Sequence, residues 1–210
     1  MGLPFAADRV YNCNWEKALS GYNLVLIEIE KLSELEQKHQ WNDAVILLQN
    51  LWNKNRNNED LLLRLATECW YLITNWDLLD LEHANLRFED IQSILIETYN
   101  FLIEHHSGSN KIIAIFGYMI SLFPNYFYTD FDQNGKLFLQ FEKIGKEMLH
   151  QAYLNGAQPL YEILYLGSIH KVKANSSEQA LKLNVRELFP GDTAVEQYFR
   201  EVLLRYSEVL

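Results

Sequence analysis

Apolar residues recur at spacings of three and four along most of the chain, and this period constrains the fold more than any other feature of the sequence. Ala44, Leu47, Leu48 and Leu51 form one such stripe and predict a helix over residues 41–54. Glycine occurs 9 times and proline 4 times in 210 residues, both below average usage, whereas leucine occurs 34 times. Few helix breakers and many helix formers predict an all-α chain.

The predicted helices follow one another with short polar connections. A second stripe begins at Leu62, with Asn58 or Asp60 available as its N-cap, and the last helix has Asp192 or Thr193 in that position. The other periodic runs predict helices near residues 15–19, 24–39, 89–104, 111–123, 136–154, 159–172, 177–189 and 193–210. We expect helix 41–54 to pair with its successor, 89–104 with 111–123, and the later helices likewise. The sequence predicts a single helical domain over residues 1–210, with an irregular aromatic stretch at 123–131.

One predicted hairpin resembles a known repeat family. Ala44-x3-Leu48-x2-Leu51, followed by Leu62-x2-Leu65-Ala66-x2-Cys69, is similar to the junction between two tetratricopeptide repeats. Arg56 stands where a proline ends the usual repeat. The resemblance implies stacked antiparallel helix hairpins, either an α-solenoid of the tetratricopeptide or HEAT kind or a curved helical bundle.

Two kinds of metal-site pattern occur, and neither is complete. Residues 130–135 imitate the start of an EF-hand loop, but the twelfth position, which needs a bidentate carboxylate, is Phe141. The pairs Glu36–His39 and Glu147–His150 have the Glu-x-x-His spacing of di-iron bundles, yet both lie off the apolar stripes and are interpreted as surface residues.

Nucleophile and phosphate motifs are missing from the sequence, and Cys69 lies on an apolar stripe like a small core residue. His105 and His106 are neighbours near a helix end, so they cannot readily share one metal ion. We therefore expect no enzymatic activity, no cofactor and no metal.

Negative charge is concentrated in one part of the chain. The formal net charge is −10, of which residues 1–105 carry −9, and the stretch from Glu68 to Glu104 alone carries −7. Such a field disfavours nucleic acid and anionic membranes and accelerates association with a basic protein. The alternative interpretation is a solvated acidic face that serves solubility.

Trp70, Tyr71 and Trp76 precede an acidic loop, residues 77–82. Tyr and Trp beside charges are typical of the aromatic anchor and polar rim of protein interfaces. Core packing is the alternative role of these rings. The candidate partner-binding residues are Trp70, Tyr71, Asp77, Asp80, Glu82, Glu89 and Asp90.

The start of the chain carries no basic leader, and the most apolar run, residues 112–123, is too short to cross a bilayer. The 2 cysteines are too few for a disulfide scaffold. We expect a cytoplasmic chain, with a monomer favoured and other oligomeric states left open.

In size, acidity and lack of both leader and catalytic motif, the chain resembles bacterial immunity proteins, including those of contact-dependent growth inhibition. The resemblance implies stoichiometric neutralisation of a cognate toxin, a basic and nuclease-type domain, by occlusion of its active site. The alternative is a tetratricopeptide-like adaptor or regulator that binds a peptide in a helical groove lined by Asn50, Asn53 and Arg64.

Overall fold

Eight α-helices and one short 3-10 helix make up most of the regular structure of the described residues. The structure, a computed structural model, describes residues 26–81, 86–105, 109–130, 134–156, 158–169, 185–186 and 188–208. The α-helices are α1 Glu30–Gln37, α2 Trp41–Lys54, α3 Glu59–Thr74, α4 Phe88–His105, α5 Asn110–Leu122, α6 Lys136–Asn155, α7 Pro159–Ser168 and α8 Ala194–Glu208. The 3-10 helix is Pro124–Phe127. No strand occurs in these ranges, so the all-α prediction is confirmed.

Side-chain caps set the beginning of two helices. The Oδ1 atom of Asn58 accepts a hydrogen bond of 3.0 Å from the Leu61 amide, so Asn58 rather than Asp60 caps α3. Before α8, the Glu196 amide donates to Thr193 Oγ1 at 3.3 Å, and Thr193 Oγ1 donates to Glu196 Oε2 at 2.8 Å. The first bond is the N-cap half of a capping box, while the other Glu196 oxygen accepts from the Gly191 amide at 3.0 Å rather than from the Thr193 amide. The cap that the sequence placed at Asp192 or Thr193 is therefore Thr193.

Helix pairing differs from the prediction in one place. The helix predicted to pair with 89–104 packs most extensively against α6 instead, while α4 packs against α3. Two glycines explain the choice: a Cβ atom on Gly145 would lie 2.5 Å from the Ser121 amide nitrogen, and one on Gly117 would lie 2.9 Å from the Gly145 carbonyl oxygen. Because neither residue has a side chain, the α5 and α6 backbones approach closely.

Helix α3 lies at the centre of the core. It contacts α2, α4, α5 and α8, and every residue from Leu61 to Trp70 is buried. Helix α8 returns from the far end of the chain and places Tyr198 and Phe199 against the indole of Trp70, with ring centroids 5.4 and 6.3 Å away. Helix α8 is therefore held on α3, the second helix of the hairpin over residues 41–74.

The first helix is shorter than predicted. It begins at Glu30 rather than near residue 24, because Ile29 has extended dihedrals (φ −133°, ψ 103°). Before it, Leu26 is fully buried. The predicted helix at 15–19 and most of that at 177–189 lie outside the described residues. Among the described helices, none combines the length and the apolar character that a membrane span needs.

Candidate interaction surface

The chain leaves α3 through a tight turn, residues 75–81, which we call the acidic turn. The Leu79 amide donates to the Asn75 carbonyl oxygen at 2.9 Å, and the Leu81 amide donates to the Trp76 carbonyl oxygen at 3.3 Å. Leu81 is fully buried. Asp80 has a φ of 52°, in the left-handed region that L-residues seldom adopt and that aspartate tolerates better than most. The turn is therefore fixed by its own backbone bonds and by a buried leucine.

This geometry exposes one large apolar side chain. Leu78 has 81% of its surface exposed, more than any other large apolar side chain among the described residues. The residue before it, Asp77, and Asp80 further along the turn are exposed as well. A single exposed leucine is common on a protein surface, but Leu78 also lines the aromatic cleft described below. This combination makes the turn a candidate binding surface.

A cleft opens beside the acidic turn, and we call it the tip cleft. Its volume is about 560 Å³, and its walls include Thr74, Asn75, Trp76, Asp77, Phe88 and Tyr126. The Trp76 and Phe88 rings meet edge to face at 5.4 Å, and the Phe88 and Tyr126 rings do so at 6.0 Å. Three aromatic residues from α3's end, α4 and the 3-10 helix therefore form one continuous wall.

The 3-10 helix is tied to α4 through Gln92. The Gln92 side-chain amide donates to the Asn125 and Tyr128 carbonyl oxygens, at 3.3 and 3.2 Å, on either side of Tyr126. Burial raises the pKa of the Tyr126 hydroxyl, and the negative charge of Asp77 raises it further. The Asp77 carboxylate therefore lies close enough to Tyr126 to disfavour ionisation of its hydroxyl.

The predicted acidic residues divide into two settings. Asp77 and Asp80 lie on the acidic turn, whereas Glu89 and Asp90 lie in the first turn of α4, where the helix dipole favours negative charge. There Arg87 lies 3.9 Å from a carboxylate oxygen of each of them. The other predicted member of the set, Glu82, lies outside the described residues.

The two predicted aromatic residues do not join this surface. Trp70 is fully buried, so the structure removes it from the candidate surface. Tyr71 is half-buried and packs against Trp41 and Tyr198, with ring centroids 6.2 and 6.0 Å away. Consecutive residues of a helix point about 100° apart, so Trp70 lies on a different face of α3 from Cys69. Trp70 is nevertheless buried, because α8 covers that second face. Trp76, which precedes the acidic loop in the sequence, and Tyr126, which the prediction did not include, supply the aromatic component instead.

Two basic residues from outside the 68–104 stretch neutralise part of its charge. Arg56 donates to Glu97 at 2.8 Å and lies 3.7 Å above the Trp52 ring. Arg64 donates to Glu68 at 2.8 Å. The formal charge of −7 therefore overstates the electrostatic field that this stretch presents to a partner.

A second group of carboxylates lies in the core, and we call Glu36, Arg64 and Glu68 the buried cluster. Arg64 Nη2 donates to Glu36 Oε1 at 2.5 Å and Nη1 donates to Glu68 Oε2. The other Glu36 oxygen accepts from the Ala194 amide at 2.6 Å, at the start of α8. These three side chains are at most 3% exposed. The cluster therefore joins α1, α3 and α8 inside the protein.

Burial makes this cluster titrate far from the usual range. Desolvation and the charge of Glu68 raise the Glu36 pKa to about 8, against the lowering effects of Arg64 and the Ala194 amide. Desolvation likewise raises the Glu68 pKa. Two ionised carboxylates and one guanidinium would place a net charge of −1 in the core, and the raised Glu36 pKa of about 8 favours one retained proton at neutral pH.

The cluster corrects two predictions. Glu36 was predicted to lie on the surface beside His39, but only His39 is exposed. Arg64 was predicted to line a peptide groove, but it is 1% exposed and bound to both glutamates. The pair Glu147 and His150 is exposed as predicted. Among the described residues, no group of three or more His, Cys, Asp or Glu side chains is placed to hold a metal ion.

Comparisons of the chain with protein families, with curated proteins and with solved structures found no match.

Proposed function

We propose that the chain is an immunity-type inhibitor, which binds a cognate basic toxin domain of nuclease type and neutralises it by covering its active site. The observation that carries the proposal is the exposure of Leu78 between Asp77 and Asp80, on a turn whose backbone is fixed on both sides. An apolar anchor within an acidic rim suits a partner whose own surface attracts phosphate.

The carboxylates of the acidic turn and the exposed Leu78 side chain act at different stages of binding. The carboxylates attract a basic domain over distances of about a Debye length, roughly 10 Å at 0.1 M salt, and so raise the association rate. Leu78 then leaves water on contact and slows dissociation. Since the turn is already fixed, binding loses little conformational entropy in ordering it.

The test is calorimetric titration of the full chain with the protein encoded by the immediately upstream gene, in a catalytically disabled form. We expect one-to-one binding that weakens as salt rises from about 0.05 to 0.3 M. The absence of a complex at both salt concentrations would contradict the proposal for that partner.

Leu78→Ala is the decisive variant. We expect it to raise Kd at least tenfold, about 1.4 kcal/mol, because the truncated anchor no longer fills the contact. Its stability should change by less than about 0.5 kcal/mol, since the side chain is mostly in water. Leu139→Ala is the matched control, because Leu139 is 62% exposed on α6. Equal losses of affinity in both variants would place the interface elsewhere.

The alternative function, a peptide-binding adaptor, has less support. Asn50 and Asn53 are exposed on α2. Arg64, the charged residue expected in that groove, is buried and bound to Glu36 and Glu68. Short peptides that bind with micromolar affinity and compete with no protein partner would favour it over inhibition.

A further inference from the structure

The tip cleft combines negative charge with aromatic rings, and the acidic turn supplies only part of this combination. It lies where α3 ends, and two of its lining residues, Thr74 and Asn75, are the last residue of that helix and its C-cap. The last carbonyl groups of a helix carry a partial negative charge equivalent to about half an electron. The cleft therefore lies beside the negative end of α3 and is lined by Asp77 as well.

Its remaining wall is aromatic. Trp76, Phe88 and Tyr126 are half-buried, so their rings pack on the core and also border the cleft. Aromatic faces attract cations, and a planar guanidinium, which is weakly hydrated, stacks on them better than an ammonium group does. Negative charge together with aromatic rings favours an arginine side chain over a lysine.

The same molecule contains an occupied arrangement of this kind. The Arg56 guanidinium lies over the Trp52 ring at 3.7 Å and donates to the Glu97 carboxylate at 2.8 Å. The tip cleft brings the same two components together, an aromatic ring and a carboxylate, and adds the end of α3. Its volume of about 560 Å³ is ample for one long side chain.

We propose that the tip cleft binds an arginine side chain of the protein partner, with the guanidinium paired to Asp77 and stacked on the aromatic wall. This inference rests on the proposed function, since it names the group of a basic partner that the acidic surface receives. Leu78, next to Asp77, then covers the apolar part of the same contact.

The test uses single-residue probes with the full chain labelled with nitrogen-15. The probes are N-acetyl-arginine amide, N-acetyl-lysine amide and N-acetyl-citrulline amide, where citrulline keeps the shape of arginine without its charge. The Trp76 indole signal is assigned by its loss in Trp76→Phe. We expect the arginine probe to shift this signal saturably with a Kd of about 1–10 mM, the lysine probe to bind at least threefold more weakly, and citrulline not to bind.

Two variants and a control locate the site. Asp77→Asn and Tyr126→Leu should each weaken the arginine probe at least fivefold, while the indole signals of the buried tryptophans stay in place and report an intact fold. Asp43→Asn is the control, because Asp43 is an exposed carboxylate in the first turn of α2 and does not line the cleft. Equal binding of arginine and citrulline, or an unchanged affinity in Asp77→Asn, would overturn the assignment.

The outcomes separate this inference from the proposed function. If the upstream protein binds and Leu78→Ala weakens it, but the arginine probe does not bind, the cleft assignment is wrong and the inhibitor proposal stands. If the probe binds as expected and the upstream protein does not, the cleft assignment stands and the inhibitor proposal fails for that partner.

Discussion

The buried cluster and the acidic turn use the same functional group for opposite purposes. In the core, Glu36 and Glu68 surround one guanidinium and fasten α8 to α3. At the surface, Asp77 and Asp80 stand in water beside an exposed leucine. The number of acidic residues in a stretch is therefore a poor measure of its electrostatic field. Burial and nearby arginines determine which carboxylates are accessible to a partner.

The comparison predicts that charge changes in the buried cluster alter stability, whereas changes in the acidic turn alter binding. The largest effect is expected for Arg64→Met, which leaves two carboxyl groups buried without their cation. We expect the free energy of unfolding in urea to fall by about 3–5 kcal/mol. Arg87→Met is the control, because the Arg87 side chain is 72% exposed, and its effect should stay within about 0.5 kcal/mol. Similar losses of stability in Arg64→Met and Arg87→Met would contradict this distinction between buried and exposed charges.

The next effect is a dependence of stability on pH. Because the folded Glu36 pKa is raised from 4.5 to about 8, the folded state holds a proton that the unfolded state has released. The stabilisation that this proton gives to the folded state is fully present below pH 4.5. It is lost as pH rises to about 8, and the free energy of unfolding falls by at most about 1.4 kcal/mol per pH unit. The free energy of unfolding, measured from pH 5 to 9, should fall accordingly.

Glu68→Gln tests how much of this pH dependence comes from the charge of Glu68. The amide keeps the size of the side chain and an oxygen that accepts from Arg64, but it cannot ionise. The contribution of the Glu68 charge to the raised Glu36 pKa therefore disappears, while the larger contribution of desolvation remains. We expect a flatter pH profile between pH 5 and 8 than in the parent chain. A profile with the parent slope would show that the Glu68 charge does not contribute to the pH dependence.

The smallest effect separates stability from binding within the acidic turn. Asp80→Gly replaces a side chain held at a φ of 52° by the residue that adopts this conformation without strain. We expect thermal unfolding to report a gain of up to about 1 kcal/mol. The same change removes a charge from the turn, so association with the upstream protein should become slower at low salt. A loss of stability would show that the Asp80 side chain is itself needed by the fold.

Local patterns were enough to predict much of the helical framework. The stripe over 41–54 matches α2 residue for residue, and the caps at Asn58 and Thr193 were among the predicted alternatives. These features depend on neighbours within four residues. The pairing of α5 with α6 was missed because it depends on glycines in two different helices, Gly117 and Gly145.

The candidate surface was predicted only in part, for the same reason. Asp77 and Asp80 are exposed as the charge pattern indicated, but the burial of Trp70 depends on α8, more than 120 residues away. Glu36 was placed on the surface because its partners, Arg64 and Ala194, are 28 and 158 positions distant. A signal was present: Arg64 and Glu68 are one helical turn apart within an otherwise apolar run of α3, which indicates a buried ion pair.

The hydrogen bond between Ala194 and Glu36 also bears on the order in which the chain folds. It closes a loop of 158 positions, whereas most helix contacts join consecutive helices. Contacts between distant residues cost more chain entropy and form later than local ones. Since α1 to α3 are synthesised before α8, we expect them to associate first, with Glu36 lacking its bond to Ala194 until α8 is made. Docking of α8 then supplies the Ala194 amide to Glu36, so the last of the described helices closes the core against the first of them.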